Sequence, residues 1–186
     1  VIQANRLADP SAADAPVHTR SASFLAVNPN GRIPAMKDGD LVLCESLAIN
    51  LYLAKQYGGA LGPQDIAEDA LMAQWAIWAM TEAEPHTIQI LYNAPSNPAA
   101  DAAKREAAIE ALRQPFAVLD AALAKDGFLV GGRFTVADIN TAEVIRYAAP
   151  AASLFDAAPR VKAWLAACHA RPAFKAMMAA RDQEPA

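Results

Sequence analysis

The sequence predicts an α/β plus all-α chain: a small unit built on a β-hairpin, then an all-helical region that fills most of the length. Three observations predict it. Asn28-Pro29-Asn30-Gly31 is a turn leading into two short apolar runs, 33–36 and 41–44. Lys37-Asp38-Gly39-Asp40 lies between them as turn chemistry with Asp-Gly at its centre, so the two runs read as a hairpin. Glu45-Ser46 then opens a helix that runs to about Tyr57 and stops at Gly58-Gly59. Beyond Gly62-Pro63, apolar residues recur at three- and four-residue spacing almost to the end.

Composition bounds the function. At 186 residues the chain can bury one good core, or two small domains sharing an interface. A net charge of −4 with no basic block argues against nucleic acid as a partner. Charges and prolines break every apolar stretch well short of a bilayer span, so no membrane partner is expected. Cys44 and Cys168 stand in different predicted elements without metal-ligand spacing, the pattern of reduced, buried thiols in a cytoplasmic protein that binds no metal.

Two features of the hairpin unit bear on chemistry. Pro34 stands at a strand start, where its missing N–H costs least. The Ile33–Pro34 bond is either an ordinary trans bond, or a cis bond that turns the Ile33 N–H and C=O toward a peptide-like ligand. Ser46 is either an ordinary cap or part of a helix N-terminus that holds a carboxylate. For each feature taken singly, spacing favours the ordinary reading.

Together these pieces resemble a family. Asn28-Pro29-Asn30-Gly31-Arg32-Ile33-Pro34-Ala35-Met36, the Asp-Gly-Asp hairpin turn, and Leu43-Cys44-Glu45-Ser46-Leu47-Ala48-Ile49-Asn50-Leu51-Tyr52-Leu53 are similar to the second half of the glutathione-binding domain of cytosolic glutathione S-transferases, here of bacterial type. The resemblance implies that Pro34 is a cis-proline and that the Ile33 backbone pairs with the cysteinyl part of glutathione. It implies that Glu45 and Ser46 hold the γ-glutamyl end and that Arg32 meets the glycyl carboxylate. A guanidinium, a helix N-terminus and one acidic group match the two carboxylates and the ammonium of glutathione.

Residues 1–57 are then a partial thioredoxin-like glutathione-binding domain lacking its first strand and helix, 58–66 a linker, and 67–186 an all-helical C-terminal domain. Val1–Leu7 reads as a strand corresponding to the family's second, Ala8–Pro16 as loop, and 21–27 as a short helix with Phe24, Leu25 and Val27 on its apolar side. His18 reads as a solvated histidine. The family's first strand and helix, which carry the Tyr, Ser or Cys that acts on the glutathione thiol, have no counterpart in the sequence. The chain is therefore expected to be N-terminally incomplete, and the catalytic residue is left unknown.

The helical region reads as follows. Ala67 to about Asn93 forms one long helix with Leu71, Trp75, Trp78, Ile88, Leu91 and Tyr92 at helical spacing and a kink at Pro85. Trp75 and Trp78 read as core or dimer-contact residues. Glu82, Glu84 and His86 read as a charged patch, since neighbours two apart do not share a helix face; by resemblance, Glu82 or His86 is placed to touch a second substrate. From Asp101 to about Lys125 a helix buries Ile109, Leu112, Phe116, Leu119 and Leu123, interrupted at Pro115. Gly131-Gly132-Arg133-Phe134-Thr135-Val136-Ala137-Asp138-Ile139 is a tight turn and a capping box, Thr135 with Asp138, and the buried helix after it runs to about Tyr147. This run closely resembles the capping segment of the same family, so Asp138 reads as structural rather than catalytic. Pro159–His169 and Arg171–Ala180 form two closing helices, and the tail after them is frayed.

The function implied is a glutathione S-transferase, a detoxification enzyme that transfers the glutathione thiolate to a small hydrophobic electrophile, with glutathione as co-substrate and a homodimer as the working form. Glutathione-dependent isomerases, dehalogenases, ether-cleaving lyases and thiol oxidoreductases share the family, and nothing in the sequence separates them. A non-catalytic glutathione-binding or protein-interaction module on the same fold is the alternative.

Overall fold

Short local signals set the first elements of the chain. The computed structural model describes residues 19–183, so Val1–Leu7, Ala8–Pro16 and His18 lie outside the described residues. The described residues fall into two units, 19–53 and 54–183.

In the first unit, Ser21 accepts a hydrogen bond from the Phe24 N–H at 3.3 Å and caps a single-turn helix, α1 (Ala22–Leu25), which buries Phe24. β1 (Ala35–Asp38) and β2 (Leu41–Cys44) form a two-stranded antiparallel sheet, with Asp38 opposite Leu41 and Ala35 opposite Cys44. The register leaves Gly39-Asp40 as the two-residue loop, with Gly39 at φ 57°. The centre of the turn therefore falls one residue beyond the expected Asp-Gly pair, because a glycine at the first central position supplies the positive φ that a two-residue loop demands. Pro34 precedes β1 rather than lying in it, and the Ile33–Pro34 bond is cis. α2 (Ser46–Tyr57) follows. The Tyr52 hydroxyl donates to Asp38 at 2.8 Å and ties α2 to the hairpin.

The second unit is helical. Asp65 caps α3 (Ile66–Trp78), accepting from the Glu68 N–H at 2.8 Å. A π-helical turn, Ala79–Ala83, joins α3 to α4 (Glu84–Tyr92). The expected kink at Pro85 takes this form: proline has no N–H for the ladder and its ring crowds the preceding turn, so the turn before it widens. The inward face runs through Met72, Trp75, Ala79, Ala83 and Ile90, while Leu71, Leu91 and Tyr92, expected on it, are exposed. Trp75 and Trp78 meet edge to face at 5.1 Å.

α5 (Ala102–Ala122) is capped by Asp101, whose carboxylate accepts from the N–H groups of Ala103 and Lys104 at 3.0 and 3.1 Å. Pro115 does not interrupt it. Ile109, Leu112, Phe116, Leu119 and Leu123 are all buried as expected, and that burial outweighs the one hydrogen bond a proline removes. α6 (Val136–Ile145) packs against α3, the π turn, α4 and a later helix, α8. α7 (Ala152–Ala157), not expected from the sequence, places Phe155 edge to face on Phe116 at 5.2 Å. α8 (Pro159–Ala170) buries Val161, Trp164, Leu165 and Cys168, and α9 (Pro172–Arg181) closes the unit.

One carboxylate organises this core. Asp138, wholly buried, accepts from the Thr135 N–H at 2.9 Å, the Thr135 hydroxyl at 3.3 Å, the Leu129 N–H at 3.2 Å and the Trp164 indole N–H at 2.9 Å. Burial pushes its pKa up, and these four donors pull the other way. It is the partner of Thr135 in the capping box of α6. Every oxygen is committed to holding the fold, as the sequence reading of Asp138 has it.

Asp138→Ala leaves the Leu129 N–H and the Trp164 indole buried without acceptors and is expected to cost about 3 kcal/mol or more. Thr135→Ala, which loses one cap group, is expected to cost about 1 kcal/mol. Urea denaturation of both variants checks the order; equal losses would show that the carboxylate is not the hub.

Candidate functional site

The hairpin register brings the sequence-predicted residues to one end of the first unit. Ala35 pairs with Cys44, so Pro34 and Glu45 are each one step beyond the last pair on neighbouring strands. Residues 33–34 and 45–46 thus flank the same end of the two-stranded ladder. Arg32, Ile33, Pro34, Glu45 and Ser46 are all solvent-exposed.

The loop before β1 is held by Asn28, which is buried. Its amide donates to the Arg32 carbonyl at 2.6 Å, and its side-chain oxygen accepts from the Asn30 N–H at 3.1 Å. Two bonds thus fix the backbone that presents Arg32 and Ile33. Ile33 is 40% exposed.

Glu45 is the non-glycine residue with positive φ, 71°, among the described residues. Such a backbone costs about 1–3 kcal/mol and persists where the surroundings impose it, commonly at ligand sites. Its carbonyl accepts the first helical bond, from the Ile49 N–H at 3.0 Å. Glu45 therefore occupies the cap position, and Ser46 is the first residue of α2 rather than its cap. Ser46 thus stands in the first turn of α2, at the helix end where the dipole favours an anion.

Sequence reasoning missed Arg20. Its guanidinium packs over Gly31: a side chain at Gly31 would start 2.9 Å from the Arg20 Nη1 and 3.0 Å from the Thr19 carbonyl. Gly31 has φ 61° and is buried, so both its conformation and its neighbours require glycine. No local signal marks Arg20; its place follows from the path of residues 28–31.

In the helical unit, Glu82 is exposed on the π turn, and Glu84 and His86 are half-buried at the start of α4. Among the described residues, no group of three or more His, Cys, Asp or Glu side chains is placed to hold a metal ion. No helix among them is long and apolar enough to cross a membrane. A cavity of about 250 Å³ lies between α6, α8 and α9, its wall formed by Ile139, Ala142, Cys168, Phe174 and Met177. The Cys168 thiol faces this apolar wall, and burial pushes it up to about 12. His169 stacks on Phe174 at 4.1 Å, and burial holds its pKa below the usual value.

A hairpin unit that presents backbone and helix-terminal groups, followed by an all-helical unit, defines a protein with a thioredoxin-like N-terminal domain and an all-α C-terminal domain. The comparisons carry this to a family. Residues 10–55 match the model of the glutathione S-transferase N-terminal domain, and residues 69–172 that of the glutathione S-transferase C-terminal domain. The chain is 38% identical to glutathione S-transferase 3 of Zea mays, over 89% of this chain and 79% of the relative. It is 33% identical to a glutathione S-transferase of Hyoscyamus muticus, over 81% and 76%. The theta class glutathione S-transferase of Xanthomonas axonopodis pv. citri, solved with glutathione bound, superposes with a TM-score of 0.74 at 34% identity, over 86% of this chain and 78% of that one. Glutathione S-transferase I bound with lactoylglutathione superposes with a TM-score of 0.76 at 30% identity, over 87% and 80%. The chain belongs to the glutathione S-transferase family. The expected bacterial type is not what these curated relatives show: both are plant proteins.

Neither cysteine is placed as a reactive thiol. Cys44 lies half-buried at the end of β2 with its thiol 3.9 Å from the Val27 carbonyl, and Cys168 is buried. A disulfide-exchange reagent at pH 8 is expected to leave Cys168 unmodified in the folded protein and to titrate both thiols after denaturation. Rapid modification of Cys168 in the native state would contradict the inert reading.

Proposed function

We propose that this chain is a glutathione transferase whose peptide site is the end of the hairpin where residues 32–34 meet residues 45–46. The observation that supports the reading is the register, in which residues 32–34 and residues 45–46 flank the same end of the ladder. Arg32 meets the glycyl carboxylate, the Ile33 backbone pairs with the cysteinyl unit beside Pro34, and Ser46 with the α2 N-terminus holds the γ-glutamyl carboxylate. Glu45 meets the ammonium. Arg20, packed over Gly31 next to Arg32, adds a second guanidinium for the same end of the ligand. The reaction is attack of the glutathione thiolate on a small hydrophobic electrophile; with an aryl chloride the sulfur–carbon bond forms, chloride leaves, and the thiol proton passes to water. Binding aligns the sulfur with its acceptor and so removes most of the entropic barrier. The two free cysteines suit a reducing, cytoplasmic setting.

Calorimetric titration of glutathione tests the site. Ser46→Ala is expected to weaken binding by about 1.5–3 kcal/mol, tenfold or more, through loss of a charge-assisted hydrogen bond. An unchanged dissociation constant would remove Ser46 from the site.

The working form is a homodimer. Of the two tryptophans read as core or dimer-contact residues, Trp75 is buried in the chain's own core and Trp78 is half-buried. Ile66, Ile77 and Met80 are exposed instead, Ile66 by 83% and Ile77 by 63%. At about 100° per residue they fall within roughly 60° of one another around the helix. An apolar stripe of this kind suits a two-fold contact in which the same surface meets itself. Sedimentation at micromolar protein is expected to give a dimer, and Ile77→Glu a monomer; a monomeric parent protein would overturn this.

A further inference from the structure

Residues 58–65 connect α2 to α3 and carry little that would hold them in place: three glycines, one proline and no buried large side chain except a partly covered Leu61. Their composition reads as a loose linker. The structure shows a single guanidinium holding them. Arg133, seventy residues away in the chain, donates from Nε to the Ala60 carbonyl at 3.2 Å and from Nη2 to the Gly62 carbonyl at 2.9 Å. The same side chain forms a two-point pair with Glu68, Nη1 to Oε1 at 2.8 Å and Nη2 to Oε2 at 2.7 Å. Glu68 Oε2 also accepts from the Gln64 N–H at 2.9 Å.

The pair lies directly over Gly131. A β-carbon there would run into both the Arg133 guanidinium and the Glu68 carboxylate, and Gly131 has φ 68° besides. The glycine leaves the space that the pair fills. Arg133 and Glu68 are about four-fifths covered, so solvent and salt screen them little. On the far side, Lys55 pairs with Asp69 at 2.7 Å and ties the end of α2 to α3.

We infer that Arg133, Glu68 and Gly131 form a latch that fixes segment 59–65 to the helical unit, so that the pair, and not unfolding of the helices, governs local opening of this segment. The role needs arginine. A planar fork with donors on three nitrogens satisfies two carbonyls and both oxygens of one carboxylate, whereas an ammonium is a point charge with three donors on one atom. Without the fork, the carbonyls of Ala60 and Gly62 and the carboxylate of Glu68 lose their shared partner, and the glycine-rich segment keeps only the Gln64–Glu68 bond and the contacts of Leu61.

Amide hydrogen exchange reads the latch directly. The N–H groups of Leu61 and Gly62 donate to the carbonyls of Gly58 and Gly59, and that of Gln64 donates to the Glu68 carboxylate of the latch. In Arg133→Met these three amides are expected to exchange at least tenfold faster, with protection in α5 and α8 unchanged. Arg133→Lys is expected to fall short of rescue, and Gly131→Ala to behave like Arg133→Met. Glu68→Gln keeps the side-chain shape and removes the charge; it reads the same segment should Arg133→Met fail to fold. Unchanged exchange at these amides in a folded variant would overturn the latch. So would a parallel loss of protection in α5 and α8, which would make the pair an ordinary contributor to global stability.

Discussion

The helical unit depends on a charge kept out of water. Asp138 joins the start of α6, the chain at Leu129 and the indole of Trp164 on α8 through one carboxylate. An apolar residue in its place would fill the volume but would leave those donors without acceptors, and in a dry interior an unmet donor costs more than a met one contributes. The interaction is directional where the surrounding packing is not. Val136, Val161 and Leu165 could slide against one another; Trp164 fixed on Asp138 cannot. Helices α6 and α8 therefore meet in one register, and the rest of the bundle is laid on that pair.

A backbone register does the corresponding work in the first unit. Residues 32–34 and 45–46 are separated along the chain but adjacent across the hairpin, and two glycines make this possible. Gly39 closes the loop in two residues, and Gly31 lets the chain turn beneath Arg20. This edge is thus a product of turn chemistry rather than of a core. The unusual φ of Glu45 fits the same account: the backbone reverses from β2 into α2 within one residue, and a strained conformation is what that abrupt change requires.

Much of this was legible in the sequence where a single rule governs a stretch. The α5 face followed from helical period alone, and the capping box of α6 from the spacing of Thr135 and Asp138. The hairpin was readable from its turn residues, although two positions of glycine preference compete there and the loop settled one residue later than expected. Where long-range packing decides, local rules missed. The π turn shifts the inward face of α4, so Ile90 is buried and Leu91 and Tyr92 are not. Pro115 was read as a break, but four buried side chains on its helix hold the turn around it. α7 lies in an alanine-rich stretch with too few apolar residues to show a period, and Phe155 finds its place only against Phe116. Arg20 and Arg133 could not be placed because each acts across a turn or seventy residues of chain.

The wall of the helical-unit cavity has a consequence for a protein of this family. A protein that gathers reactive electrophiles is the first molecule they meet, and its own sulfur competes with that of its co-substrate. Burial holds the Cys168 thiol far above its ordinary range, so that it stays protonated at neutral pH. Burial at this point thus acts as protection against chemical modification: the chain keeps its core sulfur silent.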